Sequence, residues 1–80
     1  MKLSVGIITF NEEKRIGKTL DSVREIADEI IIVDSESTDK TVEIALAKGA
    51  KVFVEKWKGY GPQKNSVLEK CKGKWILLID

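Results

Sequence analysis

Two carboxylates each close a strongly apolar run: Asp34 follows Ile30-Ile31-Ile32-Val33, and Asp80 follows Trp75-Ile76-Leu77-Leu78-Ile79. Such runs read as buried strands, and in open α/β sheets ligands gather outside the carboxyl ends of the strands. A carboxylate placed there can bind a hard divalent cation, or accept hydrogen bonds from a base N–H or a ribose hydroxyl. The pair therefore points to a site for a polar ligand or a metal. Asp34 opens onto the polar loop Ser35-Glu36-Ser37-Thr38-Asp39, where Asp39 reads as a cap or supporting group. For Asp34 itself, ligand recognition and a loop role stand about level on chemistry alone.

Other segments add candidates. Thr9-Phe10-Asn11-Glu12-Glu13 falls at a strand-to-helix turn, where free backbone N–H groups can hold anionic or carbonyl oxygens; the plainer reading makes Asn11 and Glu12 helix caps. Neither GxGxxG nor a Walker A lysine is present, so no dinucleotide site or P-loop is signalled. Gln63-Lys64-Asn65 opens a helix behind the loop Trp57-Lys58-Gly59-Tyr60-Gly61; Lys64 could meet a phosphate there or lie on a solvated helix face. Trp57 and Tyr60 either pack on the sheet edge or close over a bound ring. Cys71 reads as a small core residue.

The composition narrows the chemistry. Eighty residues form one domain at most, and 42% hydrophobic with 34% charged residues describes a globular chain. A net charge of +1, from 14 basic and 13 acidic groups, gives no general attraction to nucleic acid or membrane. Without histidine there is no imidazole base, and a single cysteine excludes an internal disulfide. No run approaches the roughly 18 apolar residues a membrane span needs, and no signal-peptide pattern follows Met1, so the expected location is the cytoplasm.

Strand and helix patterns alternate. Strands are expected over Leu3 to Thr9, Glu29 to Asp34, Lys51 to Glu55 and Lys74 to Ile79. Helices are expected from Glu12 to about Ala27 with Ile16, Leu20, Val23 and Ile26 inward, from Thr38 to Lys48 with a stop at Gly49, and from Pro62 to Lys72 with Val67, Leu68 and Cys71 inward. This βαβαβαβ order implies a three-layer, Rossmann-like α/β fold with a parallel sheet of strand order 3-2-1-4. That order brings Asn11, Asp34 and Asp80 together near the switch point, where a nucleotide site is plausible.

In order and spacing, Ser4 to Glu13, Glu29 to Asp39, Gly61 to Asn65 and Trp75 to Asp80 resemble the amino-terminal part of family 2 glycosyltransferases. These are inverting enzymes of the GT-A fold that use nucleotide-diphosphate sugars. The resemblance implies that Thr9, Phe10, Asn11, Glu12, Asp34 and Ser35 hold the nucleotide, a uridine, and that Lys64 and Asn65 approach the donor. It also implies that Asp80 is the first acid of a DxD motif binding Mg²⁺ or Mn²⁺ on the diphosphate. The acceptor would be a glycan or lipid-linked saccharide hydroxyl. Gly59 to Asn65 looks most like the subgroup that adds glucose to the lipopolysaccharide core, which would act at the inner face of the membrane. The sequence departs from the pattern by stopping at that first acid. The second acid, the general base and the acceptor-binding half are therefore expected beyond residue 80, leaving no catalytic residue within the chain, no transferase activity of its own, and strand edges open to self-association. The competing readings are a non-catalytic α/β binding or interaction module and a nucleotidyltransferase.

Overall fold

The computed structural model describes residues 1–79; Asp80, the expected metal ligand, lies outside them. The strands are β1 (Leu3–Thr9), β2 (Glu29–Asp34), β3 (Lys51–Val54) and β4 (Trp75–Ile79), and the helices are α1 (Ile16–Val23), α2 (Thr41–Ala47) and α3 (Tyr60–Lys70). The strands form one parallel sheet in the order β3-β2-β1-β4, as the alternation of patterns requires.

One face of the sheet carries Val5, Ile7, Ile30 and Ile32 against Ile16, Leu20 and Val23 of α1, Ala45 of α2, and Ala50. The i, i+4, i+7 spacing of Ile16, Leu20 and Val23 puts all three on one stripe, and burying a side chain such as Leu20 contributes about 2 kcal/mol. Helix α3 lies over the other face. Its approach depends on Gly6, since a β-carbon there would stand 2.3 Å from Val67 Cγ1.

The helices start and stop differently from the pattern-based expectation. Helix α1 begins at Ile16 rather than Glu12: residues 13–15 form a turn that leads into it, in which Glu12 O accepts from both Arg15 N–H (2.9 Å) and Ile16 N–H (2.8 Å). It ends at Val23, which leaves Ile26 exposed instead of inward. Helix α2 begins at Thr41 rather than Thr38, because Ser37, Thr38 and Asp39 are engaged by the neighbouring loop. It stops before Gly49, whose φ of 88° favours glycine. Helix α3 begins before Pro62, which still lies in the first turn, where a missing N–H costs nothing. Val67 is buried as expected. Leu68 is exposed, however, Cys71 lies half-buried past the helix end, and Gln63 and Ser66 take the inward positions.

The larger departure concerns β4. The most apolar run of the chain forms an edge strand whose residues Trp75, Ile76, Leu77 and Leu78 are 67%, 39%, 41% and 37% exposed, while Ile79 packs against the core. Apolar sequence marked the strand correctly, but burial depends on what covers it.

Opposite the strand ends that face the candidate site, a polar cluster fixes the start of the sheet. Glu29 Oε2 accepts from Ser4 Oγ and from Lys72 N–H, both at 2.6 Å, and Ser4 Oγ accepts from Gly73 N–H at 2.7 Å. Burial pushes the Glu29 carboxyl up, but these donors and the Lys51 ammonium, 3.6 Å from Oε1, outweigh it and hold the group below the usual range. Burial and the nearby Glu29 charge push the Cys71 thiol up, so it is not an activated thiolate.

Candidate functional site

Two loops meet at the carboxyl ends of β1 and β2, and side chains of the second satisfy the backbone of the first. Asn11 N–H donates to Ser37 Oγ (2.8 Å), Glu12 N–H to Thr41 Oγ1 (2.8 Å), and Glu13 N–H to Asp39 Oδ2 (3.2 Å). In return Asn11 Oδ1 accepts from Thr38 N–H at 2.8 Å. Desolvation pushes the Asp39 carboxyl up, but the Thr41 hydroxyl and the N–H groups of Thr41 and Glu13 draw it below its ordinary value. Two expectations are corrected here. The N–H groups of Asn11, Glu12 and Glu13 are not free for an anion, because side-chain oxygens already occupy them. Nor does Asn11 cap α1: its side chain bridges to the other loop, and its φ of 49° is a left-handed conformation that asparagine tolerates.

Asp34 is fully buried. Its Oδ1 accepts from Thr9 Oγ1 and Ser37 Oγ, both at 2.6 Å, and its Oδ2 accepts from Ser37 N–H at 2.8 Å. A carboxylate has about four acceptor sites, so one on Oδ2 remains. As it stands, Asp34 organises the loop, and the residue of this strand end that lines an open space is its neighbour Ser35.

That space is a cavity of about 430 Å³ walled by Phe10, Ser35 and Trp57. Phe10 and Trp57 are more than half exposed, which leaves much of two aromatic side chains uncovered at the cavity. Trp57 also meets Tyr60 edge-to-face at 6.0 Å, and Lys64 Nζ stands 4.9 Å from the Tyr60 ring centroid. Lys64 is thus drawn toward the aromatic loop, while Asn65 is exposed on α3. Thr9 and Glu12 line a separate small cavity of about 70 Å³ with Arg15, Ile16 and Ile79 among its walls.

Gln63, not singled out by sequence reasoning, is fully buried and engaged at both ends. Its Oε1 accepts from Lys58 N–H and its Nε2 donates to Ser35 Oγ, each at 3.3 Å. A polar residue on the inward stripe of a helix was the available signal. Glu55, just past β3, is held by Ser66 Oγ (2.7 Å), Lys70 (2.9 Å) and Lys58 (3.2 Å), and its N–H donates to Asp34 O at 2.8 Å.

Among the described residues no group of three His, Cys, Asp or Glu could hold a metal ion. Asp34, buried with three of its acceptor sites taken by Thr9 and Ser37, is not part of such a group. The expected Mg²⁺ or Mn²⁺ ligand was Asp80, outside those residues.

The chain belongs to glycosyltransferase family 2: the family model described as Glycosyl transferase family 2 matches residues 4–80. It is 57% identical over 79 residues to an uncharacterized glycosyltransferase of Rickettsia bellii, covering 99% of this chain and 27% of the relative. It is 41% identical over 85 residues to the lipopolysaccharide core biosynthesis glycosyltransferase LpsC of Rhizobium meliloti, covering all of this chain and 31% of the relative. Glucosyl-3-phosphoglycerate synthase from Mycobacterium tuberculosis, solved with Mn²⁺, UDP and glucosyl-3-phosphoglycerate, superposes with a TM-score of 0.86 at 31% identity over 99% of this chain and 33% of that one. The chain thus spans about a third or less of the length of these proteins. The similarity bears out the GT-A type of fold. Among the described residues no helix is long and apolar enough to cross a membrane.

Proposed function

We propose that this chain is the donor-binding part of an inverting glycosyltransferase that moves a sugar from a UDP-sugar to an acceptor hydroxyl on a glycan or lipid-linked saccharide. The observation that carries the proposal is the cavity of Phe10, Ser35 and Trp57 at the carboxyl ends of the strands, where this class of sheet binds ligands. In this reading Phe10 offers its ring to the base and Ser35 its hydroxyl to a base carbonyl. Asp34 holds the Ser35 to Ser37 turn and keeps one acceptor site for a base N–H. Thr9, Asn11 and Glu12 act by fixing that turn rather than by touching an anion. Lys64 and Asn65 face the diphosphate side, where the lysine's charge favours the leaving group. A divalent cation, Mg²⁺ or Mn²⁺, belongs to the same reading, with Asp80 as this chain's ligand, and its chemistry when bound is to neutralise charge on the diphosphate. One relative named for lipopolysaccharide core biosynthesis makes a cell-envelope saccharide the preferred acceptor in this reading, with the cytoplasmic face of the membrane as the place where it would be met.

Titration with UDP, followed by calorimetry and by amide NMR, tests the proposal. Saturable binding with shifts concentrated at Phe10, Ser35 and the 57–64 segment is the expected result. No binding of UDP, with the fold intact, would favour a non-catalytic module; binding of nucleoside triphosphates in preference to UDP would favour a nucleotidyltransferase.

A further inference from the structure

We infer that Trp57 is a second wall of the base site, closing on the face of the nucleobase opposite Phe10, and that the buried Gln63 is the positioning residue that sets the Trp57 loop at the right distance from Ser35. The inference rests on the reading of this cavity as a nucleotide site and adds residues to it.

The argument begins with exposure. An indole 53% exposed beside a phenyl ring 57% exposed leaves apolar surface in water that a planar ring between them would cover. Both line one cavity of about 430 Å³, with Ser35 as its polar wall. A flat heteroaromatic ring with carbonyl groups at its edge suits such a space better than a sugar, whose hydroxyls would face two rings and find a single polar partner.

The loop carrying Trp57 is held on both sides. Before it, Glu55 is bound to α3 through Ser66 and Lys70 and to β2 through Asp34 O. After it, Gln63 bridges Lys58 N–H to Ser35 Oγ. The orientation of the Gln63 amide is fixed by Lys58, because reversing it would set a donor against a backbone donor. Ser35 Oγ consequently accepts from Gln63, which leaves the serine's own hydrogen available to donate to a base carbonyl in the cavity. One buried amide therefore fixes both the height of the indole and the direction of the serine proton. Trp57 in turn meets Tyr60 edge-to-face, an arrangement that limits how far the indole can swing.

The test uses Trp75→Phe as background, so that Trp57 is the only indole; Trp75 is on the edge strand, away from the cavity. UDP and uridine should quench Trp57 emission, and inorganic pyrophosphate should not. Trp57→Ala should weaken UDP binding roughly tenfold or more, the scale of base–aromatic stacking, and Trp57→Phe should recover most of it. Because Trp57 is exposed, these variants should fold. Gln63→Leu should weaken UDP binding as well, and in the Trp57→Ala background it should cost clearly less than it does alone, a non-additivity that loss of stability would not produce. An unchanged dissociation constant for UDP in Trp57→Ala, measured by calorimetry, overturns the inference and leaves the donor-binding proposal standing. Equal quenching by pyrophosphate also overturns it, since the loop would then be answering an anion rather than a ring. Failure of the unaltered chain to bind UDP overturns both.

Discussion

Thr9 and Asp34 are register partners at the ends of β1 and β2, and their side chains add a cross-strand bond to the backbone ladder, with Thr9 Oγ1 donating to Asp34 Oδ1 at 2.6 Å. Ser35 N–H donates to Thr9 O at 2.9 Å, so the chain leaves β2 already tied to its neighbour. Ser37 then closes the turn on the same carboxylate through its hydroxyl and its N–H. A buried carboxylate thereby sets the position of Ser35, the residue that reaches the cavity.

Removing that carboxylate should cost both stability and binding. Asp34→Ala leaves the buried Thr9 hydroxyl and the half-buried donors of Ser37 without their acceptor, an expected loss of about 2–3 kcal/mol in chemical denaturation. Thr9→Val removes one donor and keeps the charge, and should cost about 1–2 kcal/mol. UDP binding should fall in Asp34→Ala by more than in Thr9→Val. Equal stability of Asp34→Ala and the unaltered chain would show that the hydrogen bonds are not structural.

Glu36 sits between these bonded residues with a φ of 59°, a left-handed conformation that costs a non-glycine residue about 1–2 kcal/mol. Glu36→Gly removes that cost and adds about 0.5–1 kcal/mol of unfolded-chain entropy. A net gain of up to about 1 kcal/mol is expected, read as a raised Tm. A fall in Tm would mean that the Glu36 side chain makes a compensating contact.

Sequence periodicity located every strand to within a residue, because the pleat forces apolar residues into short runs whatever the helices do. The βαβ alternation then left few sheet orders, and 3-2-1-4 is the one observed. The helix starts were less legible, since Asn11 and Ser37 look like caps locally but bond across to another loop, a pairing set by the tertiary fold, and Asp39 does both, accepting from Thr41 N–H at the start of α2 and from Glu13 N–H of the other loop. Asp34 was recognisable as a residue at the site but not as a buried acceptor, for the same reason. Gln63 stayed hidden because α3 has to be docked before the inward side of its first turn is defined. The exposure of Trp75 to Leu78 was invisible to a hydrophobicity argument, which reports what a strand prefers and not what lies beside it.

Acid should loosen the clamp between β3 and α3. Hydrogen bonds from Ser66 and Lys70 to Glu55 outweigh the opposing effect of burial and, with Lys58, lower its pKa from an ordinary 4.5 to about 2. The folded-state value lies below the unfolded one, so this contribution is fully present above about pH 4.5 and is lost as pH falls toward 2. The group is partly solvated, and Glu55→Gln should cost only about 1 kcal/mol at neutral pH. The variant should also show a shallower loss of stability between those two pH values, measured by denaturant titration at each pH. Parallel pH profiles for the variant and the unaltered chain would assign the acid sensitivity to other carboxylates.

The outer edge of β4 gives the 80-residue chain a route to self-association. Among the described residues nothing pairs with that edge, while Trp75 to Leu78 project apolar side chains on both sides of it. Unpaired N–H and C=O groups flanked by exposed apolar surface are a template for another strand, and the one always available in a pure solution is a second β4. Trp75→Lys and Ile76→Lys place a charge on each side of the strand at positions that are already exposed, so they should disfavour edge pairing with little effect on the core. Sedimentation velocity should show association that grows with concentration for the unaltered chain and is reduced in the doubly substituted one. An unaltered chain that remains monomeric throughout the range would show that the edge is protected by its own twist and side chains.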